Sequence, residues 1–561
     1  MKKMPSLSLD RVSAMARTGG PSGGRTGRSL LACVAVLAVV FGVAELRPPA
    51  APTAGAAGAP AAAQVERTAA VCPQPMQGLS GSTQLTAFTP GSGGTAPGGT
   101  ATVRDITPQA VAAGPAPAQP AASGSASGAP ASGAPASGSA APSGSPSGSP
   151  AAPQAQISDA RVALAKPGTP VSAAAANTDT AAGTFAVATG AYAPGFTVTQ
   201  TTTVSDQRGM GVSGVTCVPS GTHFWFAGAS TTGDRKDYLS LNDAEATAAV
   251  VDVHLYGDKG PIDTGDAGTG IKVDPGTSLA VLLSSLTGEQ DTDLAVEVTV
   301  RSGRLGVYLH ASDGSAGSDW IPSSADPAPT VVLPGLPTDL SGARLIVAAP
   351  SSQDDADLKI QLSGPNGWFV PAGLESIHVK AGMVSAVDLK QATHQQVSAL
   401  RLTPSDPAHA TPVLATVRID RANGNKSDAA WVTGTGPVGK RASVADARGG
   451  GTSTLLLTAT GDGAASVRVT ASAGTNGGTP TSKDLDIPAG STVALPAPEP
   501  SGGNGSFGLT VETLKGGPVV AARILALTTK DVPMFTIQTL QDDHSYVQVP
   551  PAAPDPGLLV H

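Results

Sequence analysis

Three cysteines are the residues of this sequence best suited to redox chemistry. Cys72 and Cys217 lie in matched contexts, AAVCPQP and GVTCVPS, each after a short apolar run and with a proline within the next two residues. Outside the cytoplasm two such thiols can form a disulfide, and we predict the bond Cys72–Cys217. The alternative is two unrelated free thiols. Cys33 lies in an apolar run and is expected to be an inert small hydrophobe.

Two histidine-bearing segments could supply metal ligands. VVDVHLYG places Asp252, His254 and Tyr256 on one face of a strand, and GVYLHAS does the same for Tyr308 and His310. If these strands pair, Asp252, His254 and His310 could approach a metal ion. Histidines on a polar sheet face are far commoner, so we predict no metal ligands.

Acidic turns are the remaining candidates for cation binding. They are DTGDAGTG at Asp263, DGSAGSD at Asp313 and SQDDADLK at Asp354. None has the fixed ligand spacing of a calcium loop. We expect solvated turns, with opportunistic Ca²⁺ binding as the alternative.

One segment resembles a phosphate-binding loop. Gly434, Gly439 and Lys440 fit the pattern, but Arg441 stands where the motif needs a hydroxyl for Mg²⁺, and no helical pattern follows. We therefore interpret it as a glycine-rich turn between domains and predict no nucleotide. The sequence also lacks a G-x-S-x-G elbow and an H-E-x-x-H pair. We predict no catalytic residues, no cofactor and no enzyme activity.

A few aromatic side chains could stack on sugar rings. The densest cluster is HFWF at His223–Phe226, and NGWFV surrounds Trp368. Large aromatic rings are more often core residues than binding platforms. A possible binding surface therefore consists of Trp225, Trp368 and Trp431, with burial in β-sandwich cores as the competing interpretation.

Composition restricts the elements that can position these residues. Charged residues are only 14% of the chain and aromatic residues 3%, while glycine (69) and proline (49) are abundant. This composition excludes a coiled coil, a polytopic membrane protein and a single helical domain. After residue 28 the chain holds 28 basic and 41 acidic residues, a net charge of −13, which disfavours nucleic acid as a partner.

The N-terminus has the pattern of a membrane anchor. A basic tail, 1–28, precedes an apolar run over 29–46 that is expected to be a transmembrane helix, with the tail in the cytoplasm. The alternative is a cleaved signal peptide, but the small-residue site at Ala54-Gly55-Ala56 lies far beyond the apolar core. Either interpretation places the rest of the chain outside the cytoplasm, on a single-pass protein or as a secreted one.

A stalk and a low-complexity linker follow. We predict a short stalk at 47–66, a strand segment at 67–90 that joins the first β-domain, and a disordered Pro/Ala/Ser/Gly linker at 91–156. No aromatic residue lies between Phe88 and Phe185, so the linker cannot bury enough apolar area to order itself. The sequence leaves open whether it spans the cell wall or is a loop closed by the disulfide.

The remaining chain repeats itself about every 107 residues. Turns ending in Gly276, Gly382 and Gly490, spaced by 106 and 108, each separate two apolar alternating runs. An aromatic marker follows these turns at Trp320, Trp431 and, less clearly, Phe535. We predict a mainly β protein of tandem immunoglobulin-like β-sandwich repeats, in domains at 157–325, 326–436 and 437–546 with a disordered tail at 547–561.

Several segments resemble a known family. Val71-Cys72-Pro73, the T-C-V-P segment at Thr216–Pro219, the V-x-P-G-T turn and the LAVEVTV strand are similar to segments of an actinobacterial family of exported, membrane-anchored proteins of unknown function. The resemblance covers roughly 67–90 and 185–545. It implies a role in the cell envelope and transfers no catalytic residue.

The sequence therefore favours a membrane-anchored, non-enzymatic protein of the cell envelope. We expect an extracytoplasmic structural or protein-interaction scaffold, with an envelope protein or a glycan as partner. A glycan-binding module that assists cell-wall or polysaccharide enzymes is the first alternative. An enzyme with a site between domains is the second.

Overall fold

Strands dominate the part of the chain that can be described. A computed structural model describes residues 61–75, 81–91, 98–107, 160–175, 181–204, 210–314, 316–351, 353–389, 392–529 and 531–549. These residues form 36 strands, and their only helical segments are the 3-10 turns Gly190–Tyr192, Gly265–Gly268 and Leu283–Ser285. The strands β1 (Ala61–Gln64) and β36 (Tyr546–Val549) make a two-stranded sheet. The mainly β prediction is confirmed.

The other strands form eight sheets that pair into four β-sandwiches. Sandwich 1 contains β2 Arg67–Cys72, β3 Gly81–Phe88, β4 Ala101–Asp105, β5 Val162–Ala163, β6 Val171–Ala175, β7 Thr184–Thr189, β8 Thr197–Val204 and β9 Gly211–Thr216. Sandwich 2 contains β10 His223–Ala229, β11 Arg235–Asn242, β12 Ala249–Gly257, β13 Gly260–Ile262, β14 Ile271–Val273, β15 Ser278–Leu282, β16 Leu294–Ser302, β17 Gly306–Asp313 and β18 Gly317–Ile321.

The second half of the chain repeats this plan. Sandwich 3 contains β19 Val331–Leu336, β20 Gly342–Ala349, β21 Ala356–Gly364, β22 Gly367–Phe369, β23 Ser376–Val379, β24 Met383–Asp388, β25 Ser398–Pro404, β26 Leu414–Asn423 and β27 Lys426–Thr433. Sandwich 4 contains β28 Arg441–Ala447, β29 Ser453–Ala459, β30 Ala465–Gly474, β31 Thr481–Ile487, β32 Thr492–Pro496, β33 Phe507–Gly516, β34 Val519–Thr529 and β35 Val532–Leu540.

All four sandwiches share one strand order. Each sandwich has eight main strands, which we number in chain order. One sheet, called the A sheet, has the order first, sixth, third, fourth. The other, called the B sheet, has the order fifth, second, seventh, eighth. Strands β14 and β23 are additions that pair with the third strand. An immunoglobulin constant domain instead places its first strand beside its second. The expected immunoglobulin-like repeats are therefore not confirmed.

Alternating apolar residues explain each core. In β21, for example, Ala356, Leu358, Ile360 and Leu362 are buried, while the residues between them are more exposed near the start of the strand. This period of two is the pattern of a strand with one face on a core. In each sandwich both sheets contribute to one apolar cluster between them.

The glycine-marked turns have the conformation that the repeat requires. Gly276, Gly382 and Gly490 have φ of 65°, 72° and 66°. This left-handed region is costly for residues with a Cβ. Each turn precedes the fifth strand of its sandwich.

The structure divides the predicted first domain differently. The segment 67–90 and the range 157–325 together contain four sheets, two for sandwich 1 and two for sandwich 2. One part of the predicted linker 91–156 is a strand, β4, because Ala101 and Val103 alternate into the core of sandwich 1 with 1% and 0% exposure. The other predicted boundaries stay predictions.

The sandwiches pack head to tail. The A sheet of sandwich 2 meets the B sheet of sandwich 3 through an apolar cluster that includes Trp225, Ala295, Ile346 and Leu414. The A sheet of sandwich 3 likewise meets the B sheet of sandwich 4, where the Oγ of Ser363 lies 2.5 Å from Oγ1 of Thr492.

The same packing closes the arrangement into a ring. At the interface of sandwiches 1 and 2, the Tyr308 hydroxyl donates to the carbonyl of Val71. At the interface of sandwiches 4 and 1, the hydroxyl of Thr201 donates to Oδ2 of Asp446 at 2.8 Å. The eighth strands β9, β18, β27 and β35 contact one another successively around the centre. We call these four strands the axial strands.

Several predictions concern residues outside the described ranges. The basic tail, the transmembrane helix over 29–46, most of the stalk, most of the linker and most of the C-terminal tail fall there. Within the described ranges no helix combines the length and apolar character that crossing a bilayer requires.

Candidate functional site

The predicted disulfide is confirmed. Cys72, at the end of β2, is bonded to Cys217, which follows β9; their Cα atoms are 4.6 Å apart and the two residues are 145 positions apart in sequence. The bond joins the A and B sheets of sandwich 1, and both cysteines are buried. It is a structural bond and leaves no thiol at these positions for chemistry.

The structure does not bring the three residues considered as metal ligands together. Strand β12, with His254, pairs in the A sheet of sandwich 2, whereas β17, with His310, pairs in the B sheet. Asp252 is bound to Arg301 and accepts a hydrogen bond from the Gly270 amide at 2.9 Å. His310 packs against Trp320, and burial lowers its pKa to about 4. Within the described ranges no three acidic, histidine or cysteine side chains form a metal-binding group.

The glycine-rich motif and two of the three acidic turns have structural roles in the described part of the chain. Gly434–Lys440 connects β27 to β28, so the interpretation as a turn between domains is confirmed. The carboxylate of Asp263 accepts a hydrogen bond from the Gly265 amide within its own turn, and Asp313 is ion-paired with Arg418.

Two of the three candidate binding-surface tryptophans are buried. Trp225 is 5% exposed and fills the interface between sandwiches 2 and 3, and Trp431 is fully buried. Trp368 is half-buried, with the guanidinium of Arg401 4.2 Å from its ring centre. The prediction of a tryptophan surface is wrong for Trp225 and Trp431, because packing between sandwiches needs large apolar side chains at these positions.

The centre of the ring holds buried carboxylates that the sequence analysis did not select. Oδ1 of Asp319, on β18, accepts hydrogen bonds from the amides of Gly214 at 3.0 Å and Trp320 at 2.8 Å. Oδ2 of Asp428, on β27, accepts from the amide of Phe535 at 2.8 Å. These bonds link β18 to β9 and β27 to β35, so each of the four axial strands takes part in one link. A Cβ on Gly317 would lie 2.2 Å from Oδ1 of Asp428, so the carboxylate needs a glycine beside it.

Burial dominates the electrostatics of this axial pair. Both side chains are almost completely removed from water, and this burial raises the pKa of Asp319 and of Asp428 well above the usual range. The charge of Asp319 raises the pKa of Asp428 further. The pair therefore favours the protonated form at a pH where surface carboxylates are ionised.

A second buried charge lies in sandwich 4. Arg523 is fully buried, and none of its three side-chain nitrogens has a hydrogen-bond partner among the described residues. Burial lowers the pKa of Arg523 to about 10. Burial also opposes ionisation of Asp446, but Arg448 and Arg523 hold the pKa of Asp446 below its usual range. One ionised carboxylate thus lies between two guanidinium groups.

This charged group borders a cleft where the ring closes. The cleft lies between the B sheet of sandwich 1 and the loops of sandwich 4, with a volume of about 710 Å³. We call it the seam cleft. Its polar side chains are Gln84, Ser172, Arg448, Thr475, Asn476 and Ser506.

The seam cleft could not be found from motif spacing. Gln84 and Arg448 are 364 positions apart, and no local pattern links them. A partial signal for the axial pair was present, because Asp319 and Asp428 belong to the segments SDW and SDAAW that mark the repeat.

Comparison with known proteins identifies the family. Residues 171–498, more than half of the chain, match a family of unknown function (DUF5719), and the chain belongs to that family. The match begins at β6 in sandwich 1 and ends beyond β32 in sandwich 4. No curated protein and no solved structure matches the chain.

Proposed function

We propose that this family member is a non-enzymatic scaffold of the cell envelope. The helix expected over 29–46 would hold it at the membrane, with the sandwiches on the extracytoplasmic side. The observation that carries the proposal is the closed ring, in which A sheets pack on B sheets and present fixed edges and loops around the rim. Such a ring suits the positioning of partners.

Two further observations support the placement of the protein. The disulfide between Cys72 and Cys217 is a feature of oxidising compartments outside the cytoplasm. Actinobacterial origin comes from the family resemblance, and membrane anchoring comes from the apolar run over 29–46 together with that resemblance; both belong to the proposal. In each sandwich the second strand pairs with the fifth and the third with the sixth, as in immunoglobulin domains. We propose a likeness to immunoglobulin domains only in these two pairings.

Photocrosslinking in intact cells tests the scaffold role. A photoreactive residue replaces Tyr238, Val370 or Leu514 in turn, because these large side chains are exposed on sandwiches 2, 3 and 4. We expect irradiation to attach the same envelope protein reproducibly at one or more positions. Cells kept in the dark are the control.

The alternatives predict other outcomes of that experiment. Attachment of glycan without protein would replace the scaffold by a glycan-binding module. Recovery of the chain from the soluble fraction of the cell would overturn the membrane anchor. The residues considered as metal ligands do not support the enzyme alternative, because Asp252 and His254 lie in the sheet opposite His310.

A further inference from the structure

We infer that the seam cleft binds an acidic saccharide, whose carboxylate pairs with Arg448 and whose hydroxyls bond the amide and hydroxyl side chains around it. This inference concerns a ligand and does not rest on the scaffold role. It also uses none of the tryptophans considered from the sequence.

The lining has the hydrogen-bonding capacity that a sugar needs. Gln84 and Asn476 each carry a carbonyl and an amino group, and the hydroxyls of Ser172, Thr475 and Ser506 both donate and accept. Ser172 shares one bond with Thr86 at 2.8 Å, Ser506 bonds Asp446 and the Gln84 carbonyl contacts Arg448, so Asn476 and Thr475 keep the most capacity for a ligand in the described part of the chain. Sugar hydroxyls likewise donate and accept. The volume of about 710 Å³ lies in the range of small-molecule sites, roughly 300–1,000 Å³.

The guanidinium group of Arg448 supplies a positive charge, and one of its edges is available to a ligand. Its Nε and Nη2 donate to the two oxygens of Asp446 at 3.2 and 2.9 Å. Nη2 also makes a long contact of 3.4 Å with Oε1 of Gln84, and no hydrogen bond among the described residues uses Nη1. The Nη1–Nη2 edge can therefore take a ligand carboxylate in the two-bonded geometry that guanidinium groups favour.

The charges behind this edge favour an anion. Asp446 is shared between Arg448 and the buried Arg523. Asp319 also acts on Arg523, but burial raises the pKa of Asp319 well above its usual range, so the two guanidinium groups exceed the one ionised carboxylate. The carboxylate of Glu499 lies beside the lining residue Gly449, but it accepts from the Gly450 amide at 2.8 Å and is not among the residues that line the cleft. Among the described residues that line the cleft, Arg448 alone carries a charge.

The loops of sandwich 4 are held in place before any ligand arrives. The Thr475 amide donates to the Ser506 carbonyl at 2.8 Å, and the Asn476 amide donates to the Asn504 carbonyl at 3.3 Å. A Cβ on Gly505 would lie 2.2 Å from Oγ1 of Thr475, so the loops approach too closely for a larger residue. A rigid site avoids part of the ordering cost of binding.

Calorimetric titration of the full chain tests the inference. The probes are a trimer of galacturonic acid and its methyl ester, which keeps the hydroxyls and removes the charges. We expect saturable binding of one acidic trimer, weakened at least tenfold in the ester. Arg448→Lys, which keeps a cation beside Asp446, should weaken binding at least fivefold, and Asn476→Ala should weaken it about threefold.

Matched controls keep the outcome decisive. Arg468→Gln removes an exposed guanidinium elsewhere on sandwich 4 and should leave affinity unchanged. Asn476→Ala alters an exposed side chain, so it tests the site even where Arg448→Lys lowers stability. Absence of saturable binding, equal affinity for the ester, or equal affinity of all variants would overturn the inference.

Discussion

The least ordinary feature of this β protein is that it buries several ionisable side chains. Asp319, Asp428, Asp446 and Arg523 are buried inside a chain with few charged residues. Removing a charge from water is costly, so a buried acid shifts its titration or gains a partner. Asp446 has guanidinium partners, whereas Asp319 and Asp428 are held mainly by backbone amides.

The raised pKa of Asp319 predicts a pH-dependent stability. An acid whose pKa is higher in the folded state than the unfolded value of 3.8 stabilises the fold at low pH. That contribution is lost as the pH rises through the folded pKa, by about 1.4 kcal/mol for each unit of difference. Asp319→Asn keeps the amide bonds and does not titrate. The melting temperature of the Asp319→Asn variant should therefore increase relative to that of the parent protein as the pH rises from 4 to 8.

An exposed carboxylate gives the control of opposite sign. Arg468 lowers the pKa of Asp484, so this acid stabilises the fold above pH 3.8 and loses its effect as the pH falls. Asp484→Asn should make the variant relatively less stable as the pH rises. If the Asp319→Asn difference is constant across the pH range, the raised pKa is not a property of the folded state.

At the scale of strands, Trp431 shows that an aromatic marker of the repeat is a packing residue. It lies on β27, fully buried, with Arg235 and Arg418 about 5.5 Å from its ring. Trp431→Ala should lower the free energy of unfolding by about 3–5 kcal/mol, the usual cost of removing a buried aromatic. Chemical denaturation measures it. Trp368→Ala, at a half-buried position, should cost clearly less, and an equal loss would contradict the assignment.

The disulfide stabilises the smallest core. Sandwich 1 includes a strand of only two residues, β5, and its cluster contains many alanines. The double variant Cys72→Ser with Cys217→Ser should lose about 2–5 kcal/mol of unfolding free energy. Urea unfolding provides the measurement, and Cys33→Ser is the matched control. Identical midpoints with and without reductant would contradict a structural role for the bond.

Local pattern predicted the repeat in sandwiches 2 to 4 and the strand segment 67–90, but it did not separate sandwich 1 from sandwich 2. The alternation around Gly276, Gly382 and Gly490 was strong enough to define repeats. A fourth marker was present in Pro167-Gly168-Thr169, 108 residues before Gly276, and Gly168 also has positive φ. Alanine-rich strands weakened the apolar signal there, and the axial strand β9 carries no aromatic residue.

Longer-range features could not be predicted because they depend on contacts between distant strands. In each A sheet the first strand pairs with the sixth. No hairpin turn connects these two strands, so burial across the sandwich determines the register of the pair. The seam cleft forms only where sandwich 1, in the first part of the described chain, meets sandwich 4, in its last part. Even with all four repeats identified, their closure into a ring would not follow from the repeat period.

The whole molecule depends on an interface that no direct chain connection supports. Successive sandwiches are joined by the chain, as between β27 and β28, but sandwiches 4 and 1 meet through non-covalent contacts such as the hydrogen bond from Thr201 to Asp446. At this seam Gly508, on β33, faces the ring of Phe88, and a Cβ on Gly508 would lie 2.5 Å from three atoms of that ring. The close approach makes Gly508 a specific point at which to open the ring.

Gly508→Val should destabilise the entire ring and not sandwich 4 alone. Overpacking of this kind costs about 1–3 kcal/mol, and because each sandwich covers its neighbours, we expect one thermal transition shifted to lower temperature. Scanning calorimetry of the full chain measures both the shift and the number of transitions. Gly463→Val is the matched control, since its Cβ would meet nothing within 4 Å. Two transitions, with only one displaced by Gly508→Val, would show that the sandwiches unfold independently and that closure of the ring adds nothing to their stability.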